Sequence, residues 1–381
     1  MVCMKKLLIL GCNGITDFIV PKIMGIAAIT EIIIASRNKA ECDALRNKYS
    51  GKGPRITTAR MDIENEQGTR MMLSITNPDI IVNLLPIRYC MTVMKLALEV
   101  GADYIDGGLY ECGKGDLLSK QFSLFAEFRS AQKTAITGCS LSPALLTSLV
   151  KNAMQEGYDA ITSAEFYEVN LSADEPGEAV SLEDGKVVKK DSKSVSIKLD
   201  ENFGQFKGTS LYLSDSPVIQ DFIKEIPGVP NVRYYVSYEA QEEEDFTPEL
   251  TRLGMLSDEP VQITPEVSIS PKQFWEKLVE SRKTEKTVNG VCGAGVVVEG
   301  TYRGSAKKEF VYFTSDNDKC MEDYGMTSMM MFNAYALLSG VTLLCMGRWD
   351  KKGVFTPIAF DSEQFVSGIR NNGLYFQSKT L

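Results

Sequence analysis

Residues 4–37 read MKKLLILGCNGITDFIVPKIMGIAAITEIIIASR, and their reading decides the fold. An apolar run, Leu7 to Leu10, stops at a turn holding Gly11 and Gly14. A helix-length segment follows, and a second apolar run, Ile32 to Ala35, closes the stretch. Strand, glycine turn, helix, strand is the opening of a nucleotide-binding βαβ unit. Glycines in such a turn let backbone N–H groups and a helix N-terminus face a pyrophosphate. The glycine pattern is incomplete, however. Read as GxGxxG, the turn has Asn13 and Thr16 where glycines belong. Read as GxxGxxG, it keeps Gly11 and Gly14 and ends at Asp17, a negative charge beside the expected phosphates. By itself the motif fits a plain turn as well as a dinucleotide site.

Beyond Arg37 the alternation continues. Lys39 to Tyr49 reads as a helix, Arg55 to Met61 as a strand ending at Asp62, and Glu64 to Ile75 as a helix. Asp79 to Leu85 is an apolar strand stopped by Pro86, and Thr92 to Val100 is a helix. Tyr104-Ile105 leads into Asp106-Gly107-Gly108, Gln121 to Gln132 is helical, and Thr134 to Thr137 closes a sixth strand at Gly138-Cys139. Buried strands separated by helices predict a parallel sheet covered on both faces, with ligands beyond the carboxyl ends of the strands. After about residue 157 the pattern becomes that of an antiparallel sheet, interrupted by the polar stretches Asp174 to Ser192 and Glu239 to Asp245. The charge run Glu242 to Asp245 reads as a solvated loop. Met326 to Leu344 reads as a buried core helix, and the tail Gly353 to Tyr375 as one more strand and a short helix.

Composition narrows the chemistry. The chain has 381 residues, 44% of them hydrophobic, and a formal net charge of −9, which argues against nucleic acid or an anionic membrane as partner. No apolar run reaches the length of a membrane span. Nine cysteines are scattered without CxxC spacing, the pattern of a reduced, cytoplasmic protein with no metal site. There is no histidine, so neither a Ser-His-Asp system nor a His-ligated metal can be built. Proton transfer falls to carboxylate, Tyr, Lys, Cys or water, which favours chemistry carried by a cofactor.

The strand ends then supply candidates. Gly11, Asn13, Gly14 and Ile15 form the phosphate turn. After the second strand stands Ser36-Arg37 in place of the acidic residue that would bond both ribose hydroxyls of NAD. A guanidinium beside a hydroxyl suits a 2′-phosphate, so NADP is expected ahead of NAD. Asp62, Leu85 and Pro86 follow the third and fourth strands. Arg88 and Arg303 are candidates for a substrate carboxylate. Asp106, Tyr110 and Glu168 are candidates for proton handling, and Cys139 and Ser142 for lining the substrate pocket. Ser142-Pro143 also reads as a helix start, with Ser142 as N-cap.

The chain resembles the saccharopine dehydrogenase-like family, in particular its carboxynorspermidine and lysine dehydrogenase branch. The resemblance is carried by LLILGCNGI, EIIIASRNKAECDAL, PDIIVNLLPIRYCMTVMKLALEVGADYIDGGLYE, LTRLGMLSDEPVQITPEVSISPKQF and GRWDKKGVFTPIAFDSEQFVSGIRNNGLYF, in that order. It implies an α/β fold: a Rossmann domain over residues 1–139 and 340–381, with an inserted α+β substrate and dimerisation domain over 140–339. It also implies a homodimer and NAD(P)-linked chemistry at a C–N bond of an amino-acid or polyamine derivative, with an amine and a keto acid as partners. Two departures stand out. Ser142 replaces the acidic residue of the family's GFDPG-like element, and Ser328-Met329-Met330-Met331-Phe332-Asn333 replaces a small, Pro-containing segment. Two other readings keep the fold: a catalytically inactive nucleotide-binding regulatory or scaffold protein, and simple carbonyl reduction or oxidative deamination.

Overall fold

Strands that are apolar on both faces have to be sandwiched between helices, and the N-terminal third of the chain folds that way. A computed structural model describes residues 4–51, 53–108, 116–171, 178–215, 219, 226, 228–237, 247–264, 267–282 and 289–381. The first third runs β1 (Lys5–Leu10), α1 (Gly14–Ile23), β2 (Ile29–Ser36), α2 (Lys39–Tyr49), β3 (Arg55–Arg60), α3 (Glu66–Thr76) and β4 (Ile80–Asn83). It continues through α4 (Cys90–Val100), β5 (Asp103–Asp106), α5 (Asp116–Phe122), α6 (Phe125–Ser130) and β6 (Thr134–Ile136). Leu7, Ile9, Ile32 and Ile34 point to one layer of helices. Leu8, Leu10, Ile33 and Ala35 point to the other, where they meet Leu73, Val93 and Met94.

The middle of the chain runs α7 (Leu146–Glu156), β7 (Tyr158–Val169), β8 (Glu178–Glu183), β9 (Lys186–Asp191), β10 (Ser196–Lys198), β11 (Ser210–Leu213) and β12 (Asn231–Ser237). Then come α8 (Thr247–Arg252), β13 (Val261–Thr264), β14 (Val267–Ile269), α9 (Pro271–Arg282), β15 (Val291–Tyr302) and β16 (Ser305–Asp316). The chain ends with α10 (Asn317–Tyr324), α11 (Ser328–Cys345), β17 (Gly353–Phe355), α12 (Ser362–Asn371) and β18 (Gln377–Thr380).

The first sheet has the order β17-β6-β5-β4-β1-β2-β3, and every pairing in it is parallel. Strand order reverses between β1 and β4, and a crevice for a ligand forms at such a reversal. The second sheet has the order β10-β11-β12-β7-β15-β16-β18, with the β8–β9 hairpin attached to β12. It is mixed rather than antiparallel throughout, because β12 runs parallel to β7 after the excursion through β8 to β11. The polar stretch expected only to interrupt this sheet contains the β8–β9 hairpin. Its turn, Asp184-Gly185, has φ +48° and +76°, the positive values that a two-residue hairpin turn requires.

The tail divides between the sheets: β17 pairs with β6 and β18 with β16. The boundary expected at 339/340 falls inside α11. This helix, read from sequence as core, is long and apolar enough to cross a membrane, yet 83% of it is buried inside the fold. Phe18 of α1 packs edge-on against Tyr335, and Phe332 against Phe313 of β16, so α11 touches both sheets' layers. The Glu242–Asp245 run, Tyr110 and Glu111 lie outside the described residues.

Candidate functional site

The glycine turn explains its own irregularities. Gly11 has φ +112°, and a Cβ there would come within 3.1 Å of the Leu84 Cβ and carbonyl oxygen, so both conformation and space exclude a side chain. Asn13 caps α1. Its Oδ1 accepts from the Thr16 N–H at 3.2 Å, and its own N–H donates back to Thr16 Oγ1 at 3.3 Å. Thr16 Oγ1 in turn donates to the Gly11 carbonyl at 3.0 Å. The two residues standing in glycine places thus form a reciprocal capping box. The first two N–H groups of the helix, those of Gly14 and Ile15, have no intrahelical acceptor, and such groups at a helix N-terminus suit an anion. Asp17 is not left as a bare charge: its carboxylate accepts from Lys48 Nζ at 2.8 Å and from the Tyr49 hydroxyl at 2.8 Å, both on α2.

Two cavities adjoin this turn. One, of about 370 Å³, lies over the ends of β1, β2 and β3 and is lined by Gly11, Asn13, Ser36, Arg37, Asp62 and Tyr89 among others. The second, of about 300 Å³, lies over β4 and β5 and is lined by Ile15, Asp106 to Gly108 and, from α11, Met330, Asn333 and Leu337. Asn13, Leu84, Leu85 and Pro86 belong to both, so the cavities are neighbours across the reversal of strand order. Arg37 is exposed at the mouth of the first, without a hydrogen-bond or ion-pair partner among the described residues. Ser36 Oγ donates to the Asn38 carbonyl at 2.9 Å, and Asn38 caps α2, which holds the loop in place.

Asp106 closes β5 and is fully buried. Its Oδ2 accepts from Tyr104 Oη at 2.8 Å and Gln121 Nε2 at 2.7 Å; its Oδ1 accepts from the N–H groups of Gly138 at 2.8 Å and Gly108 at 3.1 Å. Burial raises its pKa above the ordinary carboxylate range, and these four donors pull against the rise. Asn83 extends the network, with Nδ2 donating to Tyr104 Oη at 3.0 Å and Oδ1 accepting from the Leu85 N–H at 3.1 Å. The network fixes the floor of the second cavity.

Other expected residues fall elsewhere. Cys139 is buried but points away from the cavity: its Sγ donates to the Ala336 carbonyl of α11 at 3.3 Å. Burial also pushes its thiol well above the ordinary value, so it holds no thiolate. Ser142 is half-buried and extended (φ −122°, ψ 122°), inside an irregular turn that precedes α7. Its extended backbone is compatible with an N-cap, and it lines neither cavity. Arg88 is exposed on the turn after Pro86, with its guanidinium 4.8 Å from the Tyr89 ring centre. Glu168, near the end of β7, is buried with Oε1 unpaired; Tyr234 supplies a hydrogen bond, and burial raises the carboxyl to about 7. It lies two residues before Asn170, whose carbonyl accepts from Asn317, which also accepts from the Ser328 N–H at the start of α11. Glu168 is thus held near the α11 end of the fold but lines neither cavity.

Arg303 is misplaced for a shared role with Glu168. It sits in the β15–β16 turn against the Tyr302 ring, 5.1 Å from its centre. Glu168 pairs in register with Ala294, and Tyr302 stands at the other end of the same strand. At about 3.4 Å per residue the two ends are roughly 27 Å apart, too far for one small substrate. Sequence reasoning singled out the Ser328 to Asn333 segment as a departure without naming Met330 or Asn333 as site residues, and it missed Leu337. Their spacing of three and four places them on one helical face, and Asn333, an amide in a Met- and Leu-rich helix, was the available signal.

A parallel sheet in this strand order, with a capped helix N-terminus and paired cavities over its reversal, is the arrangement of a dinucleotide-binding fold. Residues 7–136 match the family described as saccharopine dehydrogenase NADP binding domain. Among curated proteins it is 23% identical to carboxyaminopropylagmatine dehydrogenase of Synechocystis sp., over 97% of this chain and 96% of that protein. Among solved structures it resembles the apo form of saccharopine dehydrogenase (L-Glu forming) from Saccharomyces cerevisiae, with TM-score 0.71, 14% identity, and 99% and 100% of the two chains covered. It also resembles homospermidine synthase from Legionella pneumophila, solved with NAD, with TM-score 0.58, 11% identity, and 99% and 91% covered. The site residues fit a nicotinamide dinucleotide: Gly11 leaves the turn clear, Gly14 and Ile15 offer N–H groups, and Asn333 carries an unpaired buried Nδ2 at the second cavity.

Proposed function

We propose that the protein is an NADP(H)-dependent oxidoreductase acting at a C–N bond of an amino-acid or polyamine derivative, by reduction of an imine or the reverse oxidation. The observation that carries this reading is the pair of neighbouring cavities, one lined by a free Arg37 and the other by the buried Asn83 and Asn333 amides. The relatives' names, dehydrogenases and a synthase of amine compounds, support the substrate class. Bound NADP(H) would supply or accept the hydride. Gly14 and Ile15 would hold the pyrophosphate by their N–H groups, and Arg37 the 2′-phosphate. Leu84, Leu85, Pro86, Met330 and Leu337 exclude water from the reacting end, which strengthens every charge interaction there. Asp106, already accepting four hydrogen bonds, positions rather than transfers protons. Glu168 has one oxygen bare and a pKa near neutrality, but it lines neither cavity and is not placed to exchange a proton with a ligand there.

The inactive-scaffold reading loses one of its motives, because Lys48 and Tyr49 neutralise Asp17. Steady oxidation of NADPH that requires both a keto acid and an amine tests the proposal; turnover without the amine would move it to carbonyl reduction. The cofactor preference has its own test. R37A narrows the gap between NADP(H) and NAD(H) by one to two decades, as expected for a charge-assisted phosphate contact of about 1.5–3 kcal/mol. Equal affinities in the parent would reject NADP preference. A cytoplasmic homodimer completes the proposal. Leu253, Val261, Ile263, Val267 and Phe274 are exposed around the β13–β14 hairpin and suit a second copy. Light scattering that finds only monomer mass would reject the dimer.

A further inference from the structure

Asn333 is 3% exposed on an otherwise apolar stretch of α11. Its Oδ1 accepts from the Leu141 N–H at 2.8 Å. A backbone amide can only donate, so this contact fixes the oxygen end of the side chain and leaves Nδ2 at the other. That Nδ2 is buried and has no acceptor. Buried amide donors without partners are rare in folded proteins, and this one belongs to a residue lining the second cavity. The other buried polar side chains there are already engaged. Asn83 uses both ends of its amide, and Asp106 accepts from four donors. Among the described lining residues the cavity therefore has one buried amide donor without an acceptor, set beside an apolar wall made by Leu84, Pro86, Met330 and Leu337.

A volume of about 300 Å³ is at the small end for ligand sites and suits one ring-sized group rather than a ring and a substrate together. We propose that Asn333 is a positioning residue whose Nδ2 donates to the carboxamide oxygen of the nicotinamide, fixing the ring's rotation and hence which face meets the substrate. This rests on the dinucleotide reading above. The ring's carboxamide offers one strong acceptor, its carbonyl oxygen, and that acceptor is what the cavity's apolar wall leaves unread. The bond to Leu141 ties α11 to the segment following β6, so the donor is held by both elements and costs little to order on binding.

The test titrates the purified full chain with three ligands: NADP+, its thionicotinamide analogue, in which sulfur replaces the carboxamide oxygen, and 2′-phospho-ADP-ribose, which has no nicotinamide. Sulfur is a weak acceptor, so the parent is expected to bind NADP+ roughly five- to tenfold more tightly than the analogue, the range of one net hydrogen bond. In N333L that ratio falls to about one, while affinity for 2′-phospho-ADP-ribose stays within roughly twofold. N333D keeps an acceptor for the Leu141 N–H and removes the amide donor. Its charge acts alike on NADP+ and the analogue, so it too brings the ratio to about one even if N333L folds poorly. A ratio that persists in both variants, a parent without discrimination, or a parallel loss for 2′-phospho-ADP-ribose would overturn the assignment. A parent that binds none of the three ligands would instead overturn the dinucleotide reading.

Discussion

Asp106 and Glu168 are both carboxyl groups sealed from water, one at the end of β5 and the other near the end of β7, and their surroundings differ in kind. Asp106 meets donors on every side, two of them backbone N–H groups that cannot turn away. Glu168 has Tyr234 and an oxygen facing nothing. A buried charge surrounded by fixed donors is a structural element, since moving its proton would strand the donors. A buried carboxyl with an idle oxygen can change its protonation state near neutrality. The first domain has thus spent its acid on rigidity, and the second has kept one available.

Substitution should expose that contrast most strongly at Asp106. D106A leaves several buried donors without an acceptor at once, and the expected loss is about 3–5 kcal/mol in urea denaturation. A loss below about 1 kcal/mol would mean that the network is not holding the floor of the cavity.

Glu168 should show itself as a pH dependence. Its folded pKa of about 7 lies above the ordinary 4.5, so between these values the folded state binds more protons than the unfolded one. Its contribution is full below pH 4.5, is lost as pH rises to about 7, and is constant above. The difference in stability between parent and E168Q should therefore drift by on the order of 3 kcal/mol across that window, in favour of the Gln variant at high pH. A flat difference would equate the two carboxyls.

A smaller effect belongs to the turn. N13A removes the cap of α1 and should cost about 1 kcal/mol, whereas N13G should cost only a few tenths, because glycine caps nearly as well. Equal losses would show that the Asn13–Thr16 box does not replace the missing glycines.

The smallest is at Arg303. R303A should change stability by no more than about 0.5 kcal/mol and leave KM within error, since this residue stands at the far end of the strand from Glu168. A large rise in KM would break the spatial argument and bring that end of the sheet into the site.

The same contrast sets what could be read from sequence. The parallel sheet announced itself through unbroken apolar runs such as Leu7 to Leu10, because burial on both faces leaves no room for polar residues. Strand ends followed from those runs, and with them Gly11, Arg37, Pro86 and Asp106. The second sheet is covered unevenly, and its hairpin strands β8 and β9 carry charged residues (Glu178, Glu183, Lys186, Lys189, Lys190 and Asp191) that read as loop. The Asp184-Gly185 turn was the overlooked sign. Cys139 and Ser142 had the right sequence position, but which way a side chain leaves a loop depends on α11, which is far away in the chain. Arg303 had the right charge, but only the register of β7 against β15 reveals its distance.

The seat of α11 bears on how this protein could be altered. At Gly340 a Cβ would lie 2.5 Å from Cys139 Sγ and 2.9 Å from Ile105 Cδ1, so the helix rests directly on the sheet. One to three turns earlier the same helix presents Met330, Asn333 and Leu337 to the cavity. A laboratory seeking new selectivity cannot slide or tilt this wall without colliding with the floor beneath it. Changes of taste in this scaffold would have to be made side chain by side chain, against a backbone that does not yield.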